Sequence, residues 1–157
     1  MHCVFLSNTK NMRLSILFVL FTLLSLTGFS QKEISWNVVY NADNQTIEFT
    51  ASIAKGWHLY SQHIADGAGP VATSFAFSEL NGVKLKGKVE EPESIRKYDQ
   101  SFEATLNFFE GKVTFTQPIS KTTKSAATIT GTITYMLCND TMCLPPVDVP
   151  FTIEIPN

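Results

Sequence analysis

In the stretch Thr46–Ile53 the apolar residues Ile47, Phe49, Ala51 and Ile53 alternate without a break with Glu48, Thr50 and Ser52. A period of two places successive side chains on opposite sides of an extended backbone, so the segment reads as a half-buried β-strand. The alternation returns over residues 128–137. There Ile129, Gly131, Ile133, Tyr135 and Leu137 share one face, and Thr128, Thr130, Thr132 and Thr134 share the other. Phe151, Ile153 and Ile155 alternate with Thr152 and Glu154 in the last candidate. Residues 34–40, 57–61, 73–77, 83–89 and 113–116 supply further strands, and helical periodicity is nearly absent from this part of the chain. Turn signals separate them, such as Asn41-Ala42-Asp43-Asn44, Asp66-Gly67-Ala68-Gly69-Pro70 and Glu110-Gly111. Many short strands at this spacing predict an all-β, two-sheet antiparallel β-sandwich. Residues 90–105, polar and containing Pro92, lack the pattern and read as one long irregular loop.

The start of the chain follows a different rule. Lys10 and Arg13 precede an apolar run over residues 14–26, which Thr27-Gly28-Phe29-Ser30 closes. A positive n-region, a short apolar core and a small-x-small site form a secretory signal peptide. The run is shorter than the roughly 20 apolar residues that span a bilayer, which disfavours the alternative of an uncleaved anchor. Residues 1–30 are therefore expected to be the signal peptide and residues 31–157 one exported domain. Loss of Lys10 and Arg13 takes the balance from 12 basic and 14 acidic residues to 10 and 14, a net charge of −4. No basic cluster remains to neutralise a row of phosphates, so nucleic acid is excluded as an expected partner. No second apolar run is long enough for a membrane span after signal cleavage.

Cys3 lies in the signal segment, which leaves Cys138 and Cys143 as the only cysteines of the domain. By parity Cys138 belongs to the threonine face, so its sulfur is expected to point away from the core built by Ile133, Tyr135 and Leu137. Pro145 and Pro146 cannot donate to a ladder, so the returning strand should not pair before about Val147. The pair is thus expected at a stiff, partly open rim. Three readings stand open on spacing alone: a structural bridge, a working redox pair and a metal site. A bridge closing about six residues contributes roughly 2 kcal/mol, against about 4 for one joining distant strands, so stapling alone explains this one poorly.

The remaining candidates are weaker. His58 and His63 show no zinc-finger spacing relative to the cysteines, so no metal is assigned. Glu90, Glu91 and Glu93 read as a solvated run. No nucleophile elbow, phosphate loop or dinucleotide fingerprint occurs. Trp36, Trp57 and most phenylalanines read as core.

The segment Tyr135-Met136-Leu137-Cys138-Asn139-Asp140-Thr141-Met142-Cys143-Leu144-Pro145-Pro146 resembles the cysteine segment of the N-terminal domain of DsbD-type thiol:disulfide interchange proteins. Gly56-Trp57-His58-Leu59-Tyr60-Ser61 is similar to an early strand motif of that family. Lys97-Tyr98-Asp99 with Phe102, then Phe109-Glu110-Gly111 and Val113-Thr114-Phe115, resemble its cap region and following strand. The resemblance implies an immunoglobulin-like fold and electron relay without a cofactor. It implies that Cys143 forms a mixed disulfide, that Cys138 resolves it, and that Phe102 covers the thiols. Tyr98, Asp99 and Glu103 flank this cap and become candidates for tuning thiol protonation. Expected partners are the thioredoxin-like domain of a membrane electron-transfer protein and periplasmic thioredoxin-fold oxidoreductases. Full-length members also carry a transmembrane segment and a C-terminal thioredoxin-like domain. This chain has neither, so its electrons are expected from another polypeptide. On this reading it acts as a protein-disulfide reductase component. The alternative is a non-enzymatic exported immunoglobulin-like binding module with a structural disulfide.

Overall fold

The computed structural model describes residues 33–64 and 69–157. The expected signal peptide and the Asp66-Gly67-Ala68 part of one turn signal lie outside the described residues.

Two hairpin-forming strands begin the fold, β1 (Ile34–Asn41) and β2 (Thr46–Ile53), in register from Asn41↔Thr46 to Ile34↔Ile53. Asn41 sets the turn between them, its Oδ1 accepting the N–H groups of Asp43 and Asn44. A side-chain acceptor of this kind closes a turn without help from the ladder. β8 (Lys112–Lys121) lies along the other side of β2, and the short β5 (Val83–Leu85) completes the order β1-β2-β8-β5. Opposite stands the sheet β11-β9-β4, made by β4 (Ser74–Asn81), β9 (Ala127–Tyr135) and β11 (Val147–Ile155). Pro150 falls within β11, which tolerates it because β11 is an edge strand.

Aromatic rings fill the space between these layers. Phe49 of β2 packs on Phe75 and Phe77 of β4 and on Phe151 of β11, with ring centroids 4.7, 6.3 and 5.1 Å away. Separations in this range, mostly tilted or edge-on, suit the quadrupoles of the rings. Ile47, Phe49 and Phe115 are fully buried, as the alternation of their strands requires. The result is an all-β, immunoglobulin-like sandwich.

A third sheet departs from the two-sheet expectation. It has the order β10-β3-β7-β6, from β3 (His58–Tyr60), β6 (Ile95–Asp99), β7 (Ala104–Phe109) and β10 (Leu137–Cys138). Residues 90–105 are therefore not one irregular loop. After an isolated bridge from Glu90 to Thr116, they form β6 and its turn into β7. The pattern was hidden because β6 is an edge strand whose Ile95, Arg96, Lys97 and Tyr98 all face solvent. The expected strand over residues 128–137 also divides. It leaves the β11-β9-β4 sheet after Tyr135, skips Met136 and joins the third sheet as β10. The strand expected over 83–89 shortens to β5.

The third sheet is apolar on both faces. Leu137, Leu59 and Phe109 are register partners and belong to the main core. One residue along, Cys138, Tyr60 and Phe108 turn to the other face, where they form a second small core with Leu106. One strand position decides which core a side chain enters.

Candidate functional site

The second core holds the cysteines. Cys138 and Cys143 are joined by a disulfide across an isolated antiparallel bridge. Asn139 closes the turn between them. Its N–H donates to the Met142 carbonyl at 2.9 Å, while its Oδ1 accepts the N–H groups of Thr141 and Met142. Leu144 N–H donates to Leu137 O at 2.8 Å, and pairing with β9 resumes at Val147, where the two prolines end.

The expectation of an open rim needs correction at one sulfur. Parity held, since Cys138 does leave the main core. Its side chain nevertheless has no exposure, because Tyr60, Leu106 and Phe108 roof that face. The sequence could not reveal this, because the covering residues come from β3 and β7. Cys143 is half-buried and follows the exposed Met142, so it is the sulfur nearer solvent.

Phe102 sits in the β6–β7 turn and packs against the same small core as both cysteines. Its ring stands edge-on to Tyr60 at 5.9 Å. Behind it lies Gly69, with φ of 131°, where a β-carbon would stand 2.5 Å from Phe102 Cδ1. Asp99 is buried at the end of β6 and ties this turn to β3. Its Oδ1 accepts the Ser101 N–H at 2.8 Å, and its Oδ2 accepts the Tyr60 hydroxyl at 2.6 Å. Burial, reinforced by the Asp99 bond, raises the Tyr60 pKa and keeps its phenol protonated. Tyr98 is exposed, and Glu103 is exposed with a left-handed φ of 50° at the turn's last position.

His58 extends the network. Its Nε2 lies 3.0 Å from Tyr60 Oη and 3.6 Å from Asp99 Oδ2. The ring tilts over Phe108 at 4.8 Å. Burial lowers its pKa below 6.5, against the attraction of Asp99, Glu110 and Asp140. A polar cavity of about 230 Å³ opens here, lined by His58, Lys97, Asp99, Glu110 and Asp140 among others. Sequence reasoning named Asp99 but missed its tie to Tyr60 and His58. The available signal was two polar aromatics, two residues apart, on one strand face. Their carboxylate partner lies 39 residues away and carries no local mark.

The other candidates do not join this cluster. Glu91 accepts from the Ser61 hydroxyl and the Gln62 N–H, so it pins the chain after β3 instead of being merely solvated. His63 is exposed. Among the described residues no group of three His, Cys, Asp or Glu side chains is gathered for a metal, and no helix is long and apolar enough to cross a membrane.

A family model, thiol:disulfide interchange protein DsbD, N-terminal, matches residues 28–154. No curated protein matches the chain significantly. Among solved structures, the reduced DsbD N-terminal domain of Neisseria meningitidis is similar at 16% identity and a TM-score of 0.57. That likeness covers 81% of this chain and 89% of the other. A second similar structure is a complex between the DsbD N-terminal and PilB N-terminal domains of the same organism. It has 16% identity, a TM-score of 0.55, and coverage of 78% and 84%. At such identity the structures establish the fold. The complex also corrects the expected partners: what it records beside a DsbD N-terminal domain is the PilB N-terminal domain, not a separate thioredoxin-fold oxidoreductase or a membrane protein's thioredoxin-like domain.

Proposed function

Because the chain belongs to the family of the N-terminal domain of thiol:disulfide interchange protein DsbD, a periplasmic redox domain, we propose that it relays electron pairs through Cys138 and Cys143. In the reduced form, the Cys143 thiolate attacks a disulfide on a partner protein. A mixed disulfide forms and one partner thiol leaves. Cys138 then attacks the Cys143 sulfur, the Cys138–Cys143 bond forms, and the second partner thiol departs. Two electrons pass to the partner, whose released thiolates take up protons from solvent, and a donor dithiol reverses the steps. The domain thus serves as a protein-disulfide reductase component that holds its electron pair on these two sulfurs. A domain of the PilB N-terminal kind is the partner class to which the relatives point.

The observation that carries this reading is the unequal burial of the two sulfurs: Cys143 half-buried beside an exposed turn, Cys138 buried behind it. An attacking sulfur needs access, while a resolving one needs only its neighbour. Phe102 is assigned as the cap that keeps unrelated disulfides from the reduced pair. Asp99 anchors the cap turn to Tyr60, and Tyr98 and Glu103 form its outer surface.

The test is a trap. Cys138→Ser should accumulate a mixed disulfide through Cys143 with a reducible partner domain, and Cys143→Ser should not. The pair's reduction potential should lie above about −300 mV, the region below being typical of structural bridges. A lower potential with no trapped adduct would favour the binding module with a structural disulfide.

A further inference from the structure

The resolving step requires Cys138 to lose a proton in a place where water does not reach. In the disulfide-bonded structure this sulfur sits among Tyr60, Leu106 and Phe108, and apolar surroundings of that kind hold a thiol protonated. A neutral thiol is a poor nucleophile, so a base is needed beside it. In the β10–β3 pairing the residue directly opposite Cys138 is His58. Directly opposed side chains share a sheet face, with β-carbons about 4.5–5.5 Å apart.

The hydrogen bonds around His58 fix which nitrogen carries the proton. Tyr60 has one hydroxyl proton, and it is given to Asp99 Oδ2 at 2.6 Å. At the 3.0 Å contact, Tyr60 Oη can then only accept, so His58 Nε2 carries the proton. Nδ1 is left as the nitrogen with an open lone pair. From the geometry we infer that His58 is the proton acceptor for Cys138 in the resolving step, held in its working tautomer by Tyr60 and Asp99. This rests on the relay reading above and adds its proton path.

In that step the proton moves from Cys138 Sγ to His58 Nδ1 as the Sγ–Sγ bond to Cys143 forms and the bond from Cys143 to the partner breaks. The partner's thiolate takes its own proton from solvent. In the reverse direction the imidazolium protonates Cys138 as the disulfide opens. The charges facing the ring suit a cation formed in passing: Asp99 from β6, Glu110 after β7 and Asp140 from the cysteine turn, with Lys97 the one opposing charge lining the cavity. Burial outweighs those carboxylates and keeps the resting ring neutral at neutral pH, as a base must be. The arrangement is that of a nucleophile, a base and a third group orienting the base.

The reduced protein, mixed in stopped flow with dithiodipyridine, separates the two steps. The first coloured thiol reports attack by Cys143 and the second reports resolution by Cys138. In the wild type the second phase should rise with pH through the His58 titration and level off near neutrality. In His58→Gln it should be slower by about 100-fold at neutral pH, the scale of one general base, and climb with hydroxide without a plateau. The first phase should be unchanged. His58→Phe, which keeps an aromatic ring over Phe108, should behave alike, and this guards against a packing defect in the glutamine variant. A second phase with unchanged rate and pH profile in both variants overturns the assignment of His58 alone. A wild type that releases no second thiol at all overturns the relay itself.

Discussion

The two faces of the third sheet differ by one residue of register and by everything else. On one face Leu59, Phe109 and Leu137 enter a core built from three sheets, where side chains meet neighbours on all sides. On the other, Tyr60, Phe108 and Cys138 enter a core whose lid is a four-residue turn carrying Phe102. The first face is held by the whole sandwich. The second is held by Phe102 packing and by the ties through Asp99. The same strands therefore carry a deeply packed face and a thinly covered one, the contrast that the proposed cap would require.

From that contrast, the largest effect should come from the sandwich face. Leu59→Ala, at a fully buried position, should cost about 2–5 kcal/mol in a urea titration. A loss under 1 kcal/mol would place Leu59 outside the load-carrying core. Across the sheet, Cys138→Ser with Cys143→Ser should stay folded and lose about 2 kcal/mol or less relative to the oxidised protein, since the bridge closes only a short loop. An unfolded double variant would erase the contrast and make the bridge a staple.

Phe102→Ala sharpens the comparison further. At a half-buried site it should lower stability by about 1 kcal/mol, yet speed oxidation of the reduced pair by a small disulfide several-fold. An unchanged oxidation rate would remove its role as cap. A loss as large as that of Leu59→Ala would instead make Phe102 part of the sandwich's support.

The smallest effect is a pH dependence. The folded state lowers the His58 pKa from 6.5, so the unfolded chain binds the proton more readily. Its contribution is fully present above pH 6.5 and is lost as pH falls through that value toward the folded pKa. The urea midpoint of the wild type should therefore drop between pH 7.5 and pH 5.5 by more than that of His58→Phe. Equal drops would show that the ring is not strained toward neutrality by burial.

The sandwich face was legible because its residues announce it. Ile47, Phe49, Ala51 and Ile53 alternate with polar neighbours, and each packs where that alternation predicts. The site face was less so. The cysteine turn could be read from the strands around it and the two prolines, but β6 could not be read from Ile95-Arg96-Lys97-Tyr98, whose exposure leaves no period. Nor could the burial of Cys138 be seen, since parity gives a direction and not what waits there. The tie from His58 through Tyr60 to Asp99 depends on β6 reaching β3 across β7, a relation of sheet order invisible in any one segment.

One consequence of the Gly69 contact concerns inheritance. The cap ring leans on bare main chain, at a backbone angle that residues with side chains seldom adopt. Positions 69 and 102 are thus not free to drift separately. A lineage that gains a side chain at 69 must surrender bulk at 102 or reseat the turn, so the shielding proposed for the sulfurs would be written partly in a residue that never touches them with a side chain of its own.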